Sequence, residues 1–456
     1  MDTTQIAFIA FGVIIAAIWV VMMAVNPRSG LYAVALMVFL SSIGVAFNWL
    51  GNIYGSWLLP LQEQRSYLFL AVGSTLALGM AAHLTSLRPA KVSGQAVFLV
   101  VNGLYIGLMY CYHVGFIDGM QTMALAAIAI FALALVCALS LEEIDDWYRV
   151  IRLVAFGLAG FVFCVAVQIA RDRSRIMNDS DRFIGVGANP QLVATFLALT
   201  IVPVVWLLIN DRSRRLRPIW WGLGALAIIG LLATGSRTGM AMLVLGLGCI
   251  SVRRFGRTAI AIPIAGFALF VALRIADALG IPLPLSRFLS TENTRSAAWQ
   301  ILIEQFFASP IFGNGIESTE KSENSFLYAA ASYGVGMLAL VATFAVYSVW
   351  CSLRLFWRTR PYPQLHSLVD LIIAINVMYF AGAVFEGYMI SRVSSPLVMI
   401  VLAGSMSAAM LYQLQRQEAG EVYFTPHADD LDEHEAWDDD EVWDDEYLDD
   451  YAGSPA

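Results

Sequence analysis

Apolar runs of about 17 to 25 residues, broken by short polar stretches, recur along most of the chain, matching what a helix needs to cross a hydrocarbon core of about 30 Å. Read by hydropathy, the spans fall near 6–25, 31–50, 67–84, 95–114, 120–141, 150–170, 189–209, 219–235, 238–252, 258–275, 326–350, 368–386 and 394–415. The expected fold class is therefore an all-α polytopic membrane protein of about 12–13 transmembrane helices. The pair at 219–252 is the least marked, because TGSRTG barely interrupts it. Ten-residue alternating strands are absent, which excludes a membrane β-barrel. The opening MDTTQIAFIAFG has no basic stretch and no small-residue cleavage site after it, so it reads as an attached first span.

Arginine in the short loops orients the spans. NDRSRRLRP (210–218) holds four arginines, while VRRFGR (252–257) and SLRLFWRTR (352–360) hold three each. All three loops fall on one side, which is expected to be cytoplasmic. LEEIDDWYR (141–149) is acidic on that same side, against the trend, although acidic residues weigh little in the rule. Two substantial loops lie on the other side: ARDRSRIMNDSDRFIGVGA (170–188) and a stretch of about fifty residues at 276–325. Polar loops gathered on one face are where a site is expected.

Composition agrees and adds one division. Of 456 residues 59% are hydrophobic and 14% charged, far from the balance of a soluble domain. Residues 417–456 hold 16 of the 35 acidic residues and none of the 27 basic ones, leaving 27 basic against 19 acidic in 1–416. A basic transmembrane domain (1–416) is thus expected to precede an acidic, disordered cytoplasmic tail (417–456), or else a tail that docks a basic partner. The five cysteines lie in or beside apolar segments without CxxC spacing, so they read as packing or lipid-facing residues.

Candidate chemistry concentrates on the side opposite the arginine loops. In TGSRTGMAML (234–243) the glycines allow a tight reversal that holds Arg237 at the membrane boundary, as a snorkelling turn residue or as a phosphate clamp. In STENTRSAAWQILIEQFFASPIFGNGI (290–316), Asn293 or Thr294 is placed to cap a helix running to about Ser309. Its apolar residues, Trp299 among them, share a broad face suited to the interface, and Arg295 sits in its first turn. Arg171, Arg173 and Arg175 stand where the positive-inside tendency works against them, so some are expected to neutralise an anionic substrate. Asn189 is a possible cap before Pro190. EKSENSFLYAAASYG (320–334) sets Glu323 and Asn324 at the lip of an apolar helix. No HExxH, Walker A or GxSxG motif occurs, and the chemistry is expected to need no metal, no cofactor and no nucleotide.

The order of these pieces resembles the O-antigen ligase and O-antigen polymerase superfamily. The matching pieces are Gly235-Ser236-Arg237, Arg295 to Trp299, Pro310 to Gly315, and Glu323-Asn324 to Gly334, with Asn189-Pro190 similar as well; together they cover about 180–345. The resemblance implies a C-type-like glycosyltransferase architecture in the bacterial inner membrane, with 276–325 as a large periplasmic loop. It implies an enzyme that moves a glycan from an undecaprenyl-diphosphate carrier to an acceptor hydroxyl on the periplasmic side. Arg237 and Arg295 match the family's two arginine positions and are expected to stabilise the departing diphosphate. Ser236, Asn324, Trp299, Asn189 and the three arginines of 171–175 are the expected substrate contacts.

One position departs from the family. Ligases of lipid A core typically carry His before the Asn, where this chain has Glu323. Glu323 is expected to act as a base or to orient a sugar hydroxyl, and a helix N-terminus weakens it as a base. The expected function is polymerisation of lipid-linked repeat units into O-antigen or exopolysaccharide. The alternatives are a ligase that transfers glycan to lipid A core or protein, and a transporter of lipid-linked sugars. Expected partners are the lipid-linked donor, a glycan acceptor, membrane lipid and a chain-length regulator; nucleic acid is not among them.

Overall fold

In a computed structural model the chain is described over residues 3–47, 53, 56–211, 213–255, 294–319, 322–389 and 393–420. Among these, fourteen α-helices follow one another: α1 (Thr3–Val25), α2 (Ala33–Ser42), α3 (Leu59–Glu63), α4 (Arg65–Ala81), α5 (Gly94–His113), α6 (Phe116–Ser140), α7 (Ile144–Asp172), α8 (Pro190–Asn210), α9 (Arg217–Ala233), α10 (Arg237–Phe255), α11 (Thr294–Ala308), α12 (Ser325–Arg358), α13 (His366–Ala383) and α14 (Ser395–Glu418). Seven of them, α5 to α8 and α12 to α14, are long and apolar enough to cross a membrane, and Gly12–Val25, Arg65–Ala81 and Arg217–Ala233 are shorter apolar helices. The chain thus has the all-α build of a multi-pass membrane protein. The expected span at 258–275, the loop before Thr294 and the acidic tail beyond Gly420 lie outside the described residues. By its contacts the chain divides into residues 1–412, which hold the helical bundle, and residues 413–456.

Outward faces keep large apolar side chains exposed, as with Phe163 (65%), Trp221 (68%) and Val346 (72%). Exposed faces of this kind suit lipid. Inward, α8 is buried along nearly its whole length from Val193 to Leu207, with α7, α9, α10 and α13 around it.

The expected span at 31–50 is shorter in the structure, because α2 stops at Ser42. Ser41 and Ser42 turn their hydroxyls back onto Val38 O (2.7 Å) and Phe39 O (2.6 Å), a local bonding that competes with helix continuation. Gly44 then donates its N–H to Val186 O at 3.2 Å. Hydropathy sees an apolar run there but not this stop.

Within α12 the backbone leaves helical geometry at Gly334 (φ 75°, ψ −170°). A break in an apolar medium frees carbonyls and N–H groups that need partners. Residues 310–315 supply them. Asn314 N–H donates to Ala331 O and Gly315 N–H to Ser332 O, each at 2.9 Å, while Val335 N–H donates to Pro310 O at 2.8 Å. Tyr105 OH takes the Tyr333 carbonyl at 3.3 Å. A Cβ on Gly334 would lie 2.1 Å from Ile311 O, so only glycine allows both the dihedrals and the approach.

At the other end of the bundle charges are paired. Asp211, fully buried, accepts from Arg152 Nε at 3.1 Å and Nη2 at 2.6 Å, and from Trp220 Nε1 at 3.0 Å. Burial pushes its carboxyl up, but Arg152, the Ser213 N–H and Trp220 together hold it below the usual carboxylate range. The acidic 141–149 segment sits at this end too. Its Glu142 meets Lys91 at 3.0 Å, Glu143 meets Arg28 at 2.6 Å, and Asp146 meets Arg28 at 3.3 Å. Neighbouring loops therefore supply its basic counterpart, which explains why an acidic loop is found on the arginine-rich side.

Gly334→Ala is expected to cost at least about 2 kcal/mol through strained dihedrals and overpacking. Gly248→Ala, where an added Cβ meets nothing within 4 Å, should be neutral or slightly stabilising. Thermal unfolding of the two purified variants checks the contrast.

Candidate functional site

Four separate segments meet at the end of the bundle opposite Asp211: the start of α10, the first turn of α11, the start of α12 and the link after α13. Each is fixed by local hydrogen bonding. At the start of α10, Gly235 takes the left-handed backbone (φ 61°) expected of a tight reversal. The buried Ser236 then accepts the Gly239 N–H at 3.3 Å, which makes it an N-cap. Arg237 follows as the first helical residue and is exposed. Thr238, next in sequence, faces inward at 7% exposure.

α11 runs over nearly the residues expected for it and packs on α12, with Ala298 and Leu302 buried. Arg295 reaches from its first turn to three partners among the described residues. Nη2 donates to Thr238 Oγ1 at 3.0 Å and to Glu386 Oε1 at 3.0 Å, Nη1 donates to the Phe385 carbonyl, and the guanidinium lies 5.3 Å from the Phe385 ring centre. One turn later Trp299 Nε1 donates to the Glu323 carbonyl at 3.2 Å. The Arg-x-x-x-Trp spacing thus places both side chains on one helix face, one holding the link after α13 and the other the lead into α12.

Asn324 is spent on structure. Its Oδ1 accepts the Phe326 and Leu327 N–H groups at 2.9 and 3.0 Å, and its Nδ2 donates to Val384 O at 2.9 Å. Ser325 hydroxyl donates to Glu386 O at 2.5 Å. Gly387 permits this closeness, because a Cβ there would sit 2.4 Å from Ser322 O. Beside these bonds, Glu323 Oε2 is buried with no hydrogen-bond partner, an unfilled acceptor in an otherwise satisfied cluster.

Glu386 is the residue that sequence reading missed. It is 7% exposed. Burial pushes its carboxyl above the ordinary range, Arg295 opposes this, Glu323 adds to it and Thr238 opposes it. A signal was present in VFEGY (384–388), a lone acid before a glycine between two spans, the same kind of feature that drew attention to Glu323.

The loop at 170–188 reaches the same end. Arg182 Nε donates to Thr234 O at 2.7 Å and Phe183 N–H to Ala233 O at 3.0 Å, which ties the loop to the Gly235 turn. Arg171, Arg173 and Arg175 are exposed on it, with Arg175 paired to Asp172 at 2.8 Å. Asn189 caps α8, accepting the Leu192 N–H at 2.8 Å, as its place before Pro190 suggests.

Glu386 also lines an open cavity of about 770 Å³ walled by α2, α4, α5, α6, the start of α8, residues 316–317, 322 and 328, the link after α13 and the start of α14. The volume is that of a small-molecule site. No protein-family model matches this chain, and no curated protein matches it.

Because the Glu386 carboxyl is raised, the folded chain holds its proton more tightly than the unfolded chain does. That contribution to stability is complete below the ordinary carboxylate range and is lost as pH rises through the raised value. Glu386→Gln cannot ionise. Its melting temperature relative to the parent should therefore increase as pH rises from about 4 to 7, read by melting scans of both proteins.

Proposed function

We propose that this chain polymerises undecaprenyl-diphosphate-linked glycan repeat units into O-antigen or exopolysaccharide, at the periplasmic face of a bacterial inner membrane. The supporting observation is the meeting of three of the resembling segments around Arg295. Gly235-Ser236-Arg237 and Thr238, Arg295 to Trp299, and Glu323-Asn324 lie far apart in sequence yet touch one another directly or through residues 384–386.

In this reading the bond between the sugar anomeric carbon and the diphosphate oxygen breaks, and the diphosphate keeps the electron pair. Arg295 and Arg237 stabilise the charge that develops there. Arg295 is preorganised for this, since Thr238 and Glu386 fix its fork before any substrate arrives. The acceptor hydroxyl oxygen bonds to the anomeric carbon and gives its proton to Glu323, whose Oε2 is the unfilled acceptor of the cluster. Glutamate at the position where ligases carry histidine supports polymerisation over ligation.

Arg295→Lys keeps the charge but loses the fork, and Arg237→Ala removes the charge; each should lower turnover by about 10²-fold or more. The measurement is a gel of surface glycans from cells expressing each variant at equal level. A collapse to single-repeat products is expected, and normal chain length would refute the reading. Cysteines at Ser213 and Gln300, introduced singly into a chain whose five native cysteines are replaced by serine or alanine, test the two ends of the bundle: a reagent added from outside should label only position 300.

A further inference from the structure

The large cavity has its own chemistry. Asn102 lies near the middle of α5, is 3% exposed, lines the cavity, and has a side-chain carbonyl oxygen with no hydrogen-bond partner. The Ser394 hydroxyl, also in the wall, is another buried group without a partner. An unsatisfied amide at that depth in a membrane helix marks a place where a polar ligand supplies the missing bond. Tyr67 and Tyr110 add aromatic surface to the same wall. Acceptor oxygens beside aromatic rings suit a ligand rich in hydroxyls.

Charge narrows the ligand further. Among the described residues the wall carries four carboxylates, those of Glu63, Asp118, Glu317 and Glu386, against one guanidinium, that of Arg65. Glu386 is already answered by Arg295 from outside the cavity, and Arg65 Nη1 donates to the Ile43 carbonyl of the wall at 2.5 Å. Among the described lining residues the ligand therefore faces Glu63, Asp118 and Glu317, with Arg65 as the opposing charge. An anionic ligand would be repelled.

Resting on the polymerase reading above, we infer that this cavity holds the acceptor glycan, and that its acidic wall restricts that glycan to neutral or amino-bearing sugars and rejects uronate- or phosphate-bearing ones. Glu386 belongs both to the cavity wall and to the Arg295 cluster, so an acceptor in the cavity ends beside the donor diphosphate.

The test is saturation-transfer NMR on the full-length chain in uncharged micelles with three probes: triacetylchitotriose, chitosan trisaccharide and trigalacturonate. The first two should receive saturation, with trigalacturonate about tenfold weaker or absent. Asn102→Leu should abolish the signal, and Ser394→Ala, a one-atom deletion, should weaken it should the leucine variant fail to fold. Asp118→Asn combined with Glu317→Gln should bring trigalacturonate to within about twofold of the neutral probe. Equal signals from all three probes on the parent chain, or no signal from any, would overturn the inference. The assay needs no donor and no turnover. Failure of the polymerase reading shows as normal chain length in Arg237→Ala with sugar binding intact, whereas failure of this inference shows as lost chain length without sugar binding.

Discussion

A helix that breaks inside an apolar medium must find partners for the groups it frees, and α12 depends on that constraint at Gly334. Its partners come from a six-residue turn, Pro310 to Gly315, which answers carbonyls on one side of the break and an N–H on the other. The turn cannot move without unsatisfying buried backbone. α11 leads directly into this turn, so the break also fixes where α11 lies, and with it Arg295 and Trp299. Asn314 reinforces the joint by bonding both Gln305 O at 2.7 Å and Ala331 O at 3.1 Å. The geometry of the charged cluster is thus inherited from a backbone requirement some distance along the chain.

The two ends of the bundle handle charge differently. At one end acids and bases neutralise each other in close pairs, as Asp211 does with Arg152 and Glu142 with Lys91. At the other, Glu386 is paired while Glu323 keeps an oxygen without a partner, and among the described residues the cavity wall carries four carboxylates and one guanidinium. The first arrangement stabilises a fold. The second leaves a buried acceptor oxygen without a partner.

Much of the fold was legible because local rules and burial agree. Asn189-Pro190 reads as a helix start and is one; Thr294 opens α11, which ends just before Pro310 as the proline requires. The α2 stop was not legible from hydropathy, since two serines and a glycine end a helix without lowering the apolar average much. The roles of Ser236 and Asn324 were half legible. Their motif marks the position, but only the structure shows their polar atoms engaged by backbone. Glu386 escaped because its meaning lies in contacts with residues about 60 and 90 positions away, which no local pattern carries.

Asn324 joins three backbone groups on two separate segments through a single amide. Its replacement would loosen the α12 N-terminus and the 384–389 link together, and through that link the Arg295 cluster. Lost activity at this position is therefore a statement about assembly. Mutational maps of this end of the molecule gain chemical meaning only at side chains whose reacting atoms the backbone leaves unclaimed.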